Sequence, residues 1–449
     1  MRKVNLFNSL GNTYQEFVPL QPGKVSIYVC GPTVYDNPHI GNMRPVIVFD
    51  EWRRLFQELG YEVTFVSNYT DVDDKIINRA KSLGIKESEL TEEVIAAFRG
   101  LVDQVGALQP DETPRPTVYM GQMINYIGEL VDNGSAYVAE NGDVYFSVES
   151  VGDYGSLSGN TPESLNAGAR IEVKDGKRSP LDFALWKKTE EGVKWDTPWS
   201  EGRPGWHTEC CVMIHSLFAD QGGKIDIHGG GFDLKFPHHE NEIAQAEAHD
   251  HHKLATYWLH NGFINIDNEK MSKSLGNVLL AKDIIAKYGG MNFRLMVLNT
   301  HYRAPLTFSE ETILEATKAY GRIQMALKQT SVKLQLNHID TSALNEPCDE
   351  EFLAFLCDDL NTPNALTKLY GQVKNLNGLL RTRDIDYPAL SKAYGELIHE
   401  LNVLGLSFDL PKLSGEDIAL FEAYNQAKAE KDFAKSDILR AKLMERNIL

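Results

Sequence analysis

The chain has 449 residues, 42% of them hydrophobic and 24% charged, which is enough for two to four globular domains with cores of their own. Its net charge of −18 argues against non-specific nucleic-acid binding by phosphate neutralisation, but it does not exclude a local basic face. No long apolar run occurs, and five cysteines are too few and odd in number for a disulfide framework. We therefore expect a cytoplasmic chain with neither a membrane span nor a secretion signal.

The N-terminal part of the chain has a β-α-β pattern. Residues 24–30 are β-branched and aromatic, which is typical of a strand, and apolar residues recur at helical spacing over 42–59. Gly60 ends this helix, and 61–67 form a second strand. Because ligands of such sheets bind at the carboxyl ends of the strands, we expect a site near the start of the helix.

The pattern changes at about residue 111 and returns to sheet and helix near 199. A helix near 117–131, a hairpin over 136–148 and stretches rich in glycine, serine and tryptophan fill the interval. We predict that 111–198 is a connective insertion and that it splits the nucleotide-binding domain in two. The remaining elements of that domain are a helix from Trp206, strands over 224–227 and 258–266, and a helix over 236–248.

Beyond residue 281 the sequence has an almost continuous helical pattern. The predicted fold class is α/β: a Rossmann-like nucleotide-binding domain split by an insertion, followed by an α-helical bundle and a small C-terminal helical module. We expect the following boundaries: split catalytic domain 1–110 and 199–265, connective insertion 111–198, junction 266–309, helical bundle 310–404 and C-terminal module 405–449. The predicted helices of this part are 283–288, 293–298, 310–327, 350–360, 364–379 and 394–404.

Two short motifs suggest phosphate chemistry. The run Lys270-Met271-Ser272-Lys273-Ser274 lies among small and polar residues, which suits a loop that brings two ammonium groups onto a polyphosphate but is also typical of an ordinary solvated loop. The run His39-Ile40-Gly41-Asn42 precedes a helix, where anions are favoured. In this order the two runs resemble the HIGH and KMSKS signatures of class I aminoacyl-tRNA synthetases. Asn42 departs from the first signature; its amide can donate a hydrogen bond but carries no charge.

Further segments resemble one family within this class. The chain is similar to the cysteinyl-tRNA synthetases from about residue 5 to its end. The segments that carry the resemblance are Tyr28–Asp36, Asn68–Lys75, Gly205–Cys210, Asp226–Gly231 and Phe236–Glu242.

The resemblance implies a zinc ion held by two cysteines, one histidine and one glutamate. From spacing alone the signal is weak, because the chain has no C-x-x-C pair and only His238 and Glu242 share a helix face. The family pattern maps onto Cys30, Cys210, His238 and Glu242; Cys211 and His239 are not assigned, since only His238 is four residues from Glu242. Four protein ligands are typical of a closed structural site, so contact with a substrate requires a fifth ligand or a weak fourth one, for which Glu242 is the candidate.

The resemblance also implies roles in amino-acid activation and transfer. The cysteine carboxylate attacks the ATP α-phosphate, pyrophosphate leaves, and the tRNA ribose then takes the acyl group; both steps need positioning and charge neutralisation. The predicted catalytic residues are His39, Asn42, Lys270 and Lys273, together with a magnesium ion. The predicted ATP contacts are His39, Gly41, Asn42 and Lys273. The predicted amino-acid contacts are Thr70, Trp206, His228 and Asp233, each of which could instead serve packing.

The expected partners are tRNA(Cys), L-cysteine and ATP, and the family favours a monomer. The C-terminal module would read the anticodon, and the basic residues between Lys428 and Arg446 could face RNA or simply solvent. Two alternatives use the same sequence features. One is a ligase that transfers cysteine to an amino-sugar, against which the long helical region argues. The other is a catalytically silent binding module, against which the intact motifs argue.

Overall fold

The computed structural model describes residues 2–160, 176–267, 269–271, 277–446 and 448. The chain divides into two compact units. The first comprises Met1–Ser309 together with Cys357–Leu360, and the second comprises Glu310–Leu356 together with Asn361–Leu449.

Strands occur in the first unit, and helices occur in both. In chain order, the strands β1 to β13 of the described residues are Asn5–Asn8, Thr13–Glu16, Lys24–Val29, Glu62–Ser67, Ala136–Val138, Val144–Phe146, Phe183–Lys188, Gly202–Pro204, Ile225–Gly231, Ala255–Asn261, Ile264–Ile266, Glu269–Lys270 and Leu306–Phe308. The helices α1 to α14 are Ile40–Glu58, Asp74–Leu83, Glu87–Gln104, Met120–Asp132, Trp206–Leu217, Glu240–Asp250, Ala281–Tyr288, Gly290–Leu298, Glu310–Gln335, Glu350–Cys357, Thr362–Leu380, Tyr387–Val403, Gly415–Ala429 and Phe433–Glu445.

A four-stranded parallel sheet in the order β10-β9-β3-β4 forms the centre of the first unit. Strand β3 is buried at every position after Lys24, so its residues form an almost unbroken apolar run. A separate antiparallel sheet, β5-β6-β7-β8, lies between β4 and β9 in the sequence. The predicted fold class is therefore confirmed: a nucleotide-binding sheet interrupted by an insertion and followed by helices.

Several predicted elements have different bounds. The predicted strand 258–266 is two strands, β10 and β11, because Gly262 donates its N–H to the carbonyl oxygen of Tyr302 at 2.8 Å between them. The predicted strand 224–227 continues through Gly231. The predicted helix 236–248 becomes the regular helix α6 only at Glu240, since Phe236 has an extended backbone (φ −143°, ψ 134°) and is followed by a proline. Helices α2 and α3 and the β1–β2 hairpin were not predicted.

Buried arginines fix helix α1 in the first unit. Arg44, 1% exposed, donates to the backbone oxygens of Phe263 at 2.6 Å and Tyr302 at 3.2 Å. Because these partners are neutral, burial lowers the pKa of Arg44 to about 10. Arg294 on α8 pairs with Asp50 at 2.5 Å. Arg44 thereby holds the start of α1 against the chain around β11, and Arg294 holds the middle of α1 to α8.

A short segment from farther along the chain, Cys357–Leu360, completes the first unit. Its buried Asp359 accepts hydrogen bonds from the N–H of Phe7 at 2.9 Å, the hydroxyl of Tyr302 at 2.8 Å and Nε of Arg303 at 2.7 Å. Hydrogen bonds to a charged group contribute roughly 1.5–3 kcal/mol each. The segment thus joins β1 to the chain that precedes β13.

The second unit contains a buried carboxyl group in its helical bundle. Glu400 on α12 is 0% exposed; its Oε1 accepts from Gln372 at 2.8 Å and from the N–H of Asp349 at 3.0 Å. Its Oε2 is buried and has no hydrogen-bond partner in the described part of the chain. Burial raises the pKa of Glu400 to about 7.

We expect Glu400→Gln to remove a pH dependence of stability. Because the pKa of Glu400 is raised on folding, the native state holds its proton longer than the unfolded chain, so the free energy of unfolding falls as pH rises from about 4.5 to 7. Glutamine keeps the Oε1 contacts and has no charge, and should stabilise the unit by about 1–3 kcal/mol at pH 8. Urea unfolding followed by circular dichroism between pH 5 and pH 8 measures this.

Glu396→Gln on the same helix is the matched control, since Glu396 also accepts from Gln372 but is only half-buried. It should leave the pH slope of stability in place. A Glu400→Gln variant with the slope of the unmodified protein would contradict the prediction.

Candidate active site

A cavity of about 780 Å³ opens at the carboxyl ends of the parallel strands, where ligands bind in such sheets. Cys30 follows β3 on its wall, and Gly231 ends β9 there. The wall also includes the His39 motif, Met271 of the lysine motif, and Val278, which follows that motif. Its volume lies within the range of pockets that enclose a small-molecule ligand.

The His39 motif forms the N-terminus of α1. His39 has an extended backbone (φ −93°, ψ 167°), and its N–H donates to Oδ1 of Asn42 at 3.0 Å. Since the amide oxygen of Asn42 serves this cap, its NH₂ group is the part that can donate to an anion in the cavity. A Cβ atom at Gly41 would lie 2.8 Å from Cε of Met271, so glycine allows the close approach of the two motifs.

The chain that follows the lysine motif is attached to the His39 motif by backbone hydrogen bonds. Ile40 donates its N–H to the oxygen of Leu279 at 3.0 Å, and Ala281 donates to the oxygen of Pro38 at 2.9 Å. The backbone of Lys270 pairs with Asn265 in the β11–β12 ladder. Lys273 and the side chain of Lys270 lie outside the described residues, so their predicted ATP contacts remain predictions.

The four predicted zinc ligands lie close together, and one of them, Cys30, lines this cavity. The ligand atoms of Cys30, Cys210, His238 and Glu242 are all within 4.8 Å of one another. The two sulfur atoms are 3.6 Å apart, and Sγ of Cys30 is 3.8 Å from Oε1 of Glu242. Nε2 of His238 lies 2.9 Å from the same oxygen but without hydrogen-bond geometry, as expected of two atoms that face a common ion.

The protonation of these groups suits a soft divalent cation. The hydrogen bond from Cys30 lowers the pKa of Cys210 to about 6, so Cys210 is a thiolate at neutral pH. Burial and the neighbouring sulfur raise the pKa of Cys30 well above its ordinary value. Burial lowers the pKa of His238, but the charge of Glu242 outweighs this and raises it to about 10. Thiolate, imidazole and carboxylate in one buried cluster fit zinc, which would replace the shared protons.

Two further histidines orient the candidate ligands. Nδ1 of His207 lies 3.0 Å from Nδ1 of His238, and burial lowers the pKa of His207 to about 3, so His207 is neutral and accepts. Nε2 of His238 is then directed at the cluster. Nε2 of His228 lies 2.6 Å from Oε2 of Glu242. Such contacts hold ligands in one orientation and tune a bound metal.

One histidine that the sequence analysis left out reaches the cluster. Nε2 of His239 is 3.4 Å from Sγ of Cys30, and Cys30, His228, His239 and Glu242 form a second group of possible donors. Burial holds the pKa of His239 well below its usual range, so its ring is neutral and could bind a metal, but this group lacks the thiolate of Cys210, the soft ligand that zinc prefers. We therefore favour the predicted ligand set. His239, whose Nδ1 lies 2.9 Å from Nε2 of His260, then packs beside the metal cluster without binding the ion.

The predicted amino-acid contacts lie in two places. Trp206 and Asp233 are on the cavity wall, and the ring of Trp206 stacks on His238 with 4.1 Å between centroids. Thr70 and His228 are fully buried behind this wall. Glu209 was not among the predicted residues; its Oε2 accepts from the hydroxyl of Thr70 at 3.1 Å. Burial and then the neighbouring Cys210 raise the pKa of Glu209 well above its ordinary value.

Comparison with known proteins gives a consistent result along the whole chain. The catalytic domain of class I (C) tRNA synthetases matches residues 16–318, and the DALR domain matches 351–409. A cysteine–tRNA ligase of Acholeplasma laidlawii is 44% identical over 447 residues, which is 99% of this chain and 100% of that protein. One of Brevibacillus brevis is 44% identical over 463 residues, which is 99% of this chain and 97% of that protein.

A solved structure shows the same fold. The methionyl-tRNA synthetase of Mycobacterium tuberculosis bound to methionyl-adenylate superimposes with a TM-score of 0.60 over 92% of this chain and 96% of that one, at 13% identity. At this identity the likeness concerns the fold alone.

A split parallel sheet with the His39 motif at a helix N-terminus beside the lysine motif defines a class I aminoacyl-tRNA synthetase, and this chain is an enzyme of that class. Within the class, the chain belongs to the cysteine–tRNA ligase family. The comparisons lend no support to an amino-sugar acceptor. Among the described residues, no helix has the length and apolar content needed to cross a membrane.

Proposed function

We propose that this chain activates L-cysteine with ATP and transfers it to tRNA(Cys), with a zinc ion held by Cys30, Cys210, His238 and Glu242. The observation that supports this most is the convergence of those four side chains next to the cavity that the His39 motif lines. When bound, zinc would supply discrimination between a thiol and a hydroxyl, because a soft sulfur ligand binds it far better than the hydroxyl of serine.

The other proposed site residues bind ATP at one end of the cavity and the amino acid at the other. At the nucleotide end, the N-terminus of α1 with His39 and Asn42 binds phosphate oxygens, and Lys270 and Lys273 add positive charge alongside magnesium. At the amino-acid end, Trp206 closes off a small side chain, and the carboxylate of Asp233 can hold the substrate ammonium group. Positioning of the substrate carboxylate against the α-phosphate requires no general base.

The helical region is assigned a role in tRNA binding. We propose that 310–404 forms a bundle that supports a module of residues 405–449, and that this module reads the anticodon. In α13 and α14 only Ala427, Ser436 and Leu443 are buried, so most of their polar surface is free to contact RNA. We propose that the enzyme acts as a monomer, and analytical ultracentrifugation in the presence of tRNA would test this.

The proposed function can be tested on a single preparation. We expect one zinc ion per chain at the cluster of Cys30, Cys210, His238 and Glu242, ATP–pyrophosphate exchange that depends on cysteine but not on serine, and charging of tRNA(Cys). An amino-sugar acceptor in place of tRNA should take up no cysteine. Exchange without charging of tRNA(Cys) would overturn the proposed acceptor. Charging by a preparation that binds no zinc would overturn the proposed role of the ion.

A further inference from the structure

A second cluster of metal-binding side chains lies at the C-terminal ends of helices α5 and α6. His215 on α5 and His249 and Asp250 on α6 place their ligand atoms within 4.8 Å of one another. Nδ1 of His249 is 2.7 Å and Nδ1 of His215 is 3.2 Å from Oδ1 of Asp250. The cluster shares no residue with the zinc ligands proposed above.

His249 has more carboxylate contacts than a neutral imidazole has N–H groups. His249 has a carboxylate oxygen on each side, since its Nε2 lies 2.6 Å from Oε2 of Glu129 while its Nδ1 faces Asp250. A neutral imidazole has one N–H, so one of the two contacts would join two hydrogen-bond acceptors. A second proton or a metal ion must therefore lie at one of these two contacts, and the contact with Asp250 is the one that a third possible ligand, His215, also approaches.

The carboxylate of Asp250 points to the same conclusion. Its side chain is only 9% exposed, and its Oδ2 is buried without a hydrogen-bond partner among the described residues. A buried carboxylate with one unpartnered oxygen is costly, and a metal ion bound at Oδ1, the oxygen that both histidines face, would offset part of that cost by neutralising the charge. His215 is 38% exposed and provides a route from solvent to the cluster.

We propose that His215, His249 and Asp250 bind a divalent transition-metal ion such as Zn²⁺. Two imidazoles and a carboxylate with one open position for water form a ligand set that zinc commonly accepts. Ligand atoms about 2.0–2.1 Å from a tetrahedral ion are separated by roughly 3.3 Å, so the observed 2.7 and 3.2 Å separations need only small shifts.

Neighbouring side chains support the proposed ligands. Glu129 on α4 accepts from Nε2–H of His249 and so directs Nδ1 at the metal, which is the usual support of a metal-bound imidazole. The ring of Tyr126 on the same helix stacks on His249 with 3.9 Å between centroids. A metal here would tie together the ends of α5 and α6, the helices that also carry Cys210 and Glu242, and hold both to α4.

Cobalt titration separates this site from the cysteine site. Co²⁺ bound by thiolates has a charge-transfer absorption, whereas Co²⁺ bound by two imidazoles and a carboxylate has none. We expect the unmodified protein to bind two Co²⁺ ions, only one of which gives the thiolate absorption. His215→Ala, a change at a partly exposed position, should weaken the second binding event at least tenfold in isothermal titration calorimetry and leave the thiolate absorption unchanged.

His251→Asn is the matched control, because His251 is adjacent, exposed and in the left-handed region (φ 58°), which asparagine tolerates. It should retain both binding events. Asp250→Asn, which keeps the shape of the side chain, should weaken the second event as His215→Ala does.

One ion per chain in the unmodified protein would show that a proton fills the cluster and would overturn the inference. Equal affinity for the second ion in all variants would also overturn it. If the unmodified protein bound Co²⁺ without the thiolate absorption, that result would count against the proposed cysteine site and not against this one.

Discussion

Replacement of Cys210 by serine should abolish zinc binding at the cysteine cluster and cysteine activation together. The variant loses the thiolate of the cluster, since Cys210 has the low pKa of the sulfur pair, and a neutral hydroxyl is a poor zinc ligand. Loss of the ion removes several kcal/mol of substrate stabilisation, so cysteine-dependent ATP–pyrophosphate exchange should fall by about a thousandfold or more. Metal analysis of the purified variant and the exchange assay measure the two effects.

The chain provides a matched control in the next residue. Cys211 is equally buried, but its sulfur lies 3.2 Å from the hydroxyl of Tyr126 and belongs to no donor group of the cluster. Cys211→Ser should therefore keep its zinc and most of its activity. A Cys210→Ser enzyme that has lost the zinc of this cluster yet activates cysteine at a near-normal rate would refute the proposed role of the ion.

Lys273→Ala should slow adenylate formation roughly a hundredfold. The ammonium group of Lys273 would neutralise phosphate charge in the transition state, and the loss of one such contact costs about 3 kcal/mol. Because each tenfold in rate corresponds to about 1.4 kcal/mol, the rate should fall by roughly two powers of ten. The effect should fall on the rate of ATP–pyrophosphate exchange at saturating cysteine. Binding of zinc, measured on the same sample, should be unchanged because the lysine motif contributes no ligand.

Lys282→Ala is the corresponding control. Lys282 is exposed on α7, a short distance after the motif, and its removal changes the net charge by the same amount. Exchange by this variant should match that of the unmodified enzyme. If Lys273→Ala also left the exchange rate unchanged, the assignment of 270–274 as a phosphate-binding motif would be wrong.

The elements that could be predicted from the sequence are those set by local pattern. Strand β3 and helix α1 were predicted within two residues at their ends, because burial on both faces and helical periodicity are visible in a short window. The break between β10 and β11 could not be predicted, since it depends on Arg44 and Tyr302, which are distant in sequence. Helix α6 begins after its predicted start because Phe236 leaves the helical region at the preceding turn.

For the candidate site, family motifs identified residues that spacing alone could not. Cys30, Cys210 and His238 come from three separate elements, and only the folded sheet and its helices bring their ligand atoms together. His239 and Glu209 were passed over because their importance rests on tertiary contacts, with Cys30 and Thr70 respectively. The signal for Glu209 in the sequence was its position directly before the predicted ligand Cys210.

The contacts of Asp359 have a consequence for how this chain is synthesised. Tyr302 and Arg303 lie near the end of the continuous part of the first unit, but their carboxylate partner is translated only after α9 and α10. The unit that holds the active site therefore cannot complete its packing when the ribosome has released Ser309; it must wait until Leu360 has emerged. A nascent chain that stalls between these two points would carry nearly all of the active site on an incompletely packed body, exposed to proteases and chaperones.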